Sequence, residues 1–131
     1  MKLEDDHYCF VCGKQNTGGL NLNFSFPEGK AFAEFILRKK FQGYKDIIHG
    51  GIIAAILDEA MIKAALAQGI HAVTAEIAVR FTNPLLAGEK GTVEAEITKS
   101  GRKLIEATAS IRVAGSRTVA DGKGKLIVVE S

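Results

Sequence analysis

His49-Gly50-Gly51-Ile52-Ile53-Ala54-Ala55-Ile56-Leu57-Asp58-Glu59-Ala60-Met61-Ile62-Lys63-Ala64-Ala65-Leu66-Ala67-Gln68-Gly69 is the stretch on which the fold turns. From Gly50 to Gln68 it reads as one helix, with Gly69 as the natural stop just past its end. Ile52, Ile53, Ile56, Leu57, Ala60 and Ala64 fall on one stripe, and Ala54, Ala55, Met61, Ile62 and Ala65 cover much of the rest. A helix apolar nearly all round is a buried helix. Something must therefore wrap it.

The flanking sequence supplies strands. Before the helix, Leu20, Leu22, Phe24 and Phe26 alternate with Asn21, Asn23 and Ser25, the period of a half-buried strand. Pro27-Glu28-Gly29-Lys30 is turn chemistry, and Ala31 to Leu37 offers a second strand, so a hairpin is expected. Phe41 to Ile48 reads as loop. After the helix, Val73 to Phe81 alternates strictly, Thr92 to Thr98 alternates again, and Lys103 to Val113 and Lys125 to Val129 complete the set. Asn83-Pro84, Ser100-Gly101 and Ala114-Gly115-Ser116 mark the turns. Two strands, one long helix and about four more strands predict an α+β fold: a central helix wrapped by a curved antiparallel sheet of about five to six strands.

The 131 residues suit one domain, residues 1–131, with 1–19 as a lead-in segment, and 47% hydrophobic residues are enough for a core without cross-links. A formal charge of +2, with no basic block, argues against nucleic acid as partner. The acidic start lacks the order of a secretory signal, and the longest nearly apolar run, Ile52 to Leu57, is far short of the roughly 20 residues of a membrane span. A soluble cytoplasmic protein with no membrane partner is the expectation.

Three charged residues interrupt the helix. Glu59 and Lys63 stand four apart in the favourable acid-then-base order and are expected to pair on a solvated edge. Asp58 is turned about 100° away from Glu59, and its helical neighbours Ala54, Ala55, Met61 and Ile62 are all apolar. A carboxylate there is costly to bury unless it is hydrogen-bonded, faces a cavity or takes up a proton. Such a break in the local pattern is where a functional group belongs, and a carboxylate so placed suits general-base work. The alternative is an aspartate bonded to a neighbouring strand or a subunit contact. At the helix start, Gly50 and Gly51 leave backbone N–H groups pointing at an anion or a developing oxyanion. Nine positions, about two and a half turns, separate His49 from Asp58. The carboxylate must meet the Gly50 end through a substrate lying along the helix or from a neighbouring subunit.

Phe41-Gln42-Gly43, the run from His49 to Met61, Val73-Thr74-Ala75-Glu76-Ile77-Ala78-Val79-Arg80-Phe81 and Pro84-Leu85-Leu86-Ala87-Gly88 resemble hotdog-fold acyl-CoA thioesterases of the phenylacetate-pathway and mammalian thioesterase-superfamily type. The resemblance covers about residues 9 to 129. It implies that Asp58 is the catalytic carboxylate, as base or nucleophile, and that Gly50 donates its N–H to the thioester oxygen. Thr74, contributed by the other subunit, would orient water. His49 and Gly51 flank the substrate, His49 chiefly by bonding the loop that carries Gly50. Gln42 is the candidate for an amide that holds the carboxylate or the water, although it stands one position before the asparagine of some relatives, where this chain has Gly43. Arg80, Lys99, Arg102 and Lys103 are candidates for the phosphates of coenzyme A. A homodimer, with paired dimers making a tetramer, is implied, and neither metal nor cofactor is required.

Acyl specificity is expected to follow pocket depth at Met61, Ile62, Phe81 and the N-terminal segment. His71, just past the helix, is expected at the surface. His7-x-Cys9-x-x-Cys12 has residue types that zinc accepts, but no second half follows; a further ligand would be His49, His71, a carboxylate from elsewhere or a residue of a partner chain. The preferred reading of Cys9-Phe10-Val11-Cys12-Gly13 is a lead-in that belongs to the fold. Two other functions compete with hydrolysis: a hotdog module that binds acyl-CoA without cleaving it, and a dehydratase, which position 63, a lysine here, disfavours.

Overall fold

The computed structural model describes residues 2–113 and 117–129. Strand β1 (Ala31–Ile36) is followed by helix α1 (Gly50–Ala67) and then by β2 (Ala72–Phe81), β3 (Lys90–Ser100), β4 (Leu104–Val113) and β5 (Arg117–Val128). The five strands form one antiparallel sheet in the order β1-β3-β4-β5-β2. Because β1 and β2 occupy opposite edges, the chain crosses the whole sheet through α1. This is the hotdog arrangement that the helix-centred reading predicts.

The helix buries Ile53, Ile56, Leu57, Ala60, Met61, Ala64 and Ala65, a stripe spaced three and four residues apart. Against it the sheet presents small inward residues, Ala95, Ala107, Ala109, Gly122 and Gly124, so the helix axis lies close to the strands. Ile105, Ile111, Val93 and Leu126 fill the space around them. At the far end, Gly69 takes a left-handed φ of 77°. Its N–H donates to Leu66 O and that of Ile70 to Ala65 O, the paired bonds of a glycine-terminated helix. Among the described residues no helix is long and apolar enough to cross a membrane.

Three expectations need correction. Leu20 to Phe26 is no strand: a single bridge joins Ser25 to Phe32, and Pro27–Gly29 closes it as a short 3-10 turn. Leu20 and Leu22 are buried, but their N–H groups go to Phe10 O and Val11 O of the lead-in segment, and Asn21 between them has a positive φ of 54°. The alternation reported burial, not pairing. The last strand begins at Arg117 rather than Lys125, because Asp121-Gly122-Lys123-Gly124, which has no apolar alternation to signal a strand, supplies the small inward residues beneath Leu57 and Met61. Finally, α1 is not enclosed on all sides by its own chain, since Ile52, Ala54, Ala55 and Ile62 stay half-exposed. The turn expected at Ala114-Gly115-Ser116 lies outside the described residues.

Candidate active site

The first turn of α1 is built by its cap. The His49 ring accepts the Gly51 N–H at Nδ1 over 2.8 Å, while His49 O accepts the N–H groups of Ile52 and Ile53. Accepting at Nδ1 leaves the ring proton on Nε2. A Cβ on residue 51 would stand 3.0 Å from Nδ1 and 3.1 Å from Cε1, so a glycine lets the ring close over the helix start. Of the first donors of the helix, the Gly50 N–H alone has no partner among the described residues. Gly50 is exposed, with the ring of Phe81 beside it.

The loop before it is pinned from both sides. His49 N donates to Phe41 O, Gly43 N to Ile47 O and Ile48 N to Leu85 O, and Ile48 is buried. The Gln42 side chain accepts the Asp46 N–H over 2.9 Å. Its amide oxygen thus holds the loop. A cleft of about 400 Å³ opens here, lined by Gly43, Tyr44, Ile47, Ile48, His49 and Gly50. Tyr44, 87% exposed, went unnoticed in the sequence, where a lone aromatic in a polar loop carries no periodic signal.

Asp58 is half-buried on α1, and the Thr74 hydroxyl donates to its Oδ1 over 2.5 Å. Both residues belong to the same chain. The expectation that Thr74 meets the carboxylate from the other subunit is therefore corrected. Strict alternation from Val73 to Phe81 would also set Thr74 on the face of Arg80, away from the helix. The pairing of β2 with β5 slips between Thr74 and Glu76, leaving Ala75 as an extra residue. Such a bulge reverses which residues face inward. Ala72 and Thr74 point to α1 before it, and Ile77 and Val79 after it. The second carboxylate oxygen, Oδ2, has no partner among the described residues.

Glu59 and Lys63 do pair, at 3.7 Å, but not on a solvated edge: their side chains are 17% and 21% exposed beneath the lead-in segment. The Cys12 thiol also donates to Glu59 Oε2 over 3.2 Å. Burial, the Cys9 side chain and Glu59 together push that thiol up to about 12, so it holds its proton at neutral pH. Burial draws the Lys63 ammonium down, but Cys12 and Glu59 outweigh it and leave the group above its ordinary value. His71 is half-buried rather than at the surface and lines a second cleft, of about 300 Å³, under the lead-in segment with Cys9, Cys12, Glu59, Ile62 and Lys63.

The other expected residues are dispersed. Arg80 stands on the outer face of the sheet with Ser110, Asp121 and Lys123, in a groove of about 570 Å³. Arg102 and Lys103 lie in the β3–β4 turn, at the end of the sheet that carries the C-terminus of α1. Arg80 pairs with Asp121 and so aligns with Ser110, about 23 Å along β4 from Lys103. One chain cannot bring all three to one phosphate. Lys99 is paired with Glu106 at 3.9 Å. Of the residues expected to set pocket depth, Met61 is wholly in the core, Ile62 lines the cleft under the lead-in segment and Phe81 lies at Gly50.

A family model described as the thioesterase superfamily matches residues 45–120. A provisionally named esterase of Archaeoglobus fulgidus is 27% identical over 97 residues, which is 74% of this chain and 63% of that protein, so the chain spans less than two thirds of its length. Among solved structures, the PaaI protein from the phenylacetic acid degradation operon of E. coli superposes with a TM-score of 0.80 at 25% identity, covering 86% of this chain and 82% of that one. A Streptococcus mutans protein solved with acetyl-CoA bound has a TM-score of 0.80 at 19% identity, covering 85% and 90% of the two chains.

Proposed function

The chain belongs to the thioesterase superfamily, whose model matches residues 45–120, and on that premise we propose that it hydrolyses an acyl-CoA thioester to the free acid and coenzyme A. The observation that carries this reading is the Asp58 carboxylate on an apolar helix face, with one oxygen held by Thr74 and the other unpaired among the described residues. That oxygen takes a proton from water, or attacks the carbonyl carbon itself. In the first route the water oxygen bonds to the carbonyl carbon, the C–S bond breaks, and the proton taken up by Asp58 passes to the leaving sulfur. In the second Asp58 forms an acyl anhydride as the C–S bond breaks, and water then hydrolyses that anhydride, restoring the carboxylate and supplying the proton of the thiol. Negative charge develops on the carbonyl oxygen, and the Gly50 N–H, without a partner among the described residues at the positive end of an 18-residue helix, suits that charge.

Gly50 and Asp58 are eight positions apart on one straight helix, about 12 Å. One carbonyl cannot be served by both ends in a single chain. A homodimer resolves this. Strand β2 is a sheet edge whose Ala75, Glu76, Ala78, Arg80 and Phe81 are exposed. Antiparallel pairing of two copies along β2 sets the Thr74 end of one strand against the Phe81 end of the other. Phe81 lies on Gly50, so the carboxylate of one subunit approaches the helix start of its partner. The likeness to a fold that binds acetyl-CoA in Streptococcus mutans supports coenzyme A as the thiol part. A panel of acyl-CoA thioesters, followed by release of free thiol, tests the activity. Binding of coenzyme A without thiol release from any of them would leave a non-catalytic acyl-CoA binder instead.

A further inference from the structure

We propose that Cys9, Cys12 and Glu59 form a binding site for a thiophilic divalent metal ion, zinc first, which fastens the N-terminal segment to α1. The cysteine sulfurs and a carboxylate oxygen of Glu59 all lie within 4.8 Å of one another. Ligand atoms of a tetrahedral thiolate site stand about 3.8 Å apart for bonds of about 2.3 Å. Cys12 Sγ and Glu59 Oε2 are already 3.2 Å apart. Small side-chain rotations close the rest.

The local fold prepares both sulfurs. Gly13 N donates to Cys9 O, and Cys12 N donates to Cys9 Sγ over 3.4 Å, so the loop doubles back and turns the two side chains to one side. A Cβ at residue 13 would fall 2.3 Å from Cys9 N and 2.6 Å from Cys9 O. Glycine alone fits this knuckle. An N–H aimed at the Cys9 sulfur is also the outer contact that favours a metal-bound thiolate.

Attachment of the segment does not by itself require these groups. Val11, Leu20 and Leu22 are buried and already anchor it. They leave unexplained why two thiols converge on a carboxylate that is 17% exposed. Charge is also consistent. Without metal, the Glu59 carboxylate faces the Lys63 ammonium, and the pair is neutral. On binding a divalent ion the two thiols give up their protons to water, and the two thiolates and the carboxylate are balanced by the metal together with Lys63, so the site is neutral again. Sulfur ligands select zinc over calcium or magnesium. His71 lines the same cleft, but it lies outside the cluster, so water takes the fourth position.

The test uses the whole chain, stripped with a chelator, kept reduced, and titrated with cobalt(II) without oxygen. A thiolate-to-cobalt charge-transfer band that saturates at one ion per chain and is abolished by zinc is the expected result. Cys9→Ser and Cys12→Ser should lose the band. Glu59→Gln should keep a band but weaken cobalt binding at least tenfold, while Asp58→Asn leaves it unchanged. No charge-transfer band in the unmodified protein overturns the proposal, and so does binding to Glu59→Gln as tight as to the unmodified chain. The unmodified-protein titration does not depend on any variant folding, and its outcome is independent of thioester hydrolysis.

Discussion

Thr74 Oγ1 reaches Asp58 Oδ1 over 2.5 Å because β2 carries an extra residue at Ala75, which turns Thr74 from the outer face of the sheet towards the helix. Thr74→Val keeps the shape and removes the donor. Its expected effect is a fall in kcat of at least about tenfold, out of the roughly 10² to 10⁴ that a positioned base supplies, with KM little changed. Thr74→Ser should keep most of the activity. Steady-state kinetics on the best substrate of the panel checks both, and a Thr74→Val enzyme with unaltered kcat would remove Thr74 from the site.

Asp58→Asn keeps a partner for the Thr74 hydroxyl and removes a half-buried charge. The melting temperature should hold or rise, because the charge no longer has to be sheltered from water. Turnover should drop by about 10³-fold, within the range for loss of a general base. Calorimetric titration should show that the variant still binds coenzyme A. Wild-type turnover in this variant is incompatible with the proposed mechanism.

Gly50→Pro isolates the N–H proposed for the oxyanion. Proline is well suited to the first helical position, and His49, at φ −58° and ψ 133°, already has the extended conformation that a following proline favours. Stability should change by less than about 1 kcal/mol. The kcat should fall by about 10² to 10³, the usual loss for one oxyanion donor. Thermal unfolding alongside kinetics separates the two effects.

Neither Gly50→Pro nor Asp58→Asn should work alone, yet their mixed dimers should. If each site takes Asp58 from one subunit and Gly50 from the other, a mixed dimer holds one intact site of two. Random co-assembly then restores about a quarter of wild-type activity, since half of the dimers are mixed. Co-expressed, differently tagged chains measure this. Recovery at the background level would mean that each chain builds its own site.

His49→Ala removes the cap of α1 and should cost about 1 kcal/mol, read as a drop of about 4 °C in melting temperature for a domain of this size. His49→Asn, which restores a side-chain acceptor for the Gly51 N–H, should recover most of that loss. If His49→Asn recovers stability but not kcat, the Nε2 side of the ring acts on the substrate.

The helix was legible because its pattern is local. An apolar run ending in Gly69 gives its length and burial. Asp58 stood out on the same ground, set among Ala54, Ala55, Met61 and Ile62. Strands were legible where apolar residues alternate, as Ile105, Ala107, Ala109 and Ile111 do in β4. Gly122 and Gly124 concealed the middle of β5, since residues kept small to admit Leu57 and Met61 show no apolar alternation. Leu20 and Leu22 misled in the opposite direction, being buried beneath a loop and not along a ladder.

Local periodicity and residue chemistry in the sequence were therefore sufficient for the α+β class, the central helix, the glycines at its start and the carboxylate within it. Tertiary structure alone decided that Thr74 belongs with Asp58 in one chain, that Arg80 and Lys103 lie at opposite ends of the sheet, and that Glu59 faces Cys9 and Cys12. Each of these depends on register or on contact between distant segments. A one-residue slip in a strand reverses every side chain beyond it, and no composition or spacing records where that slip occurs.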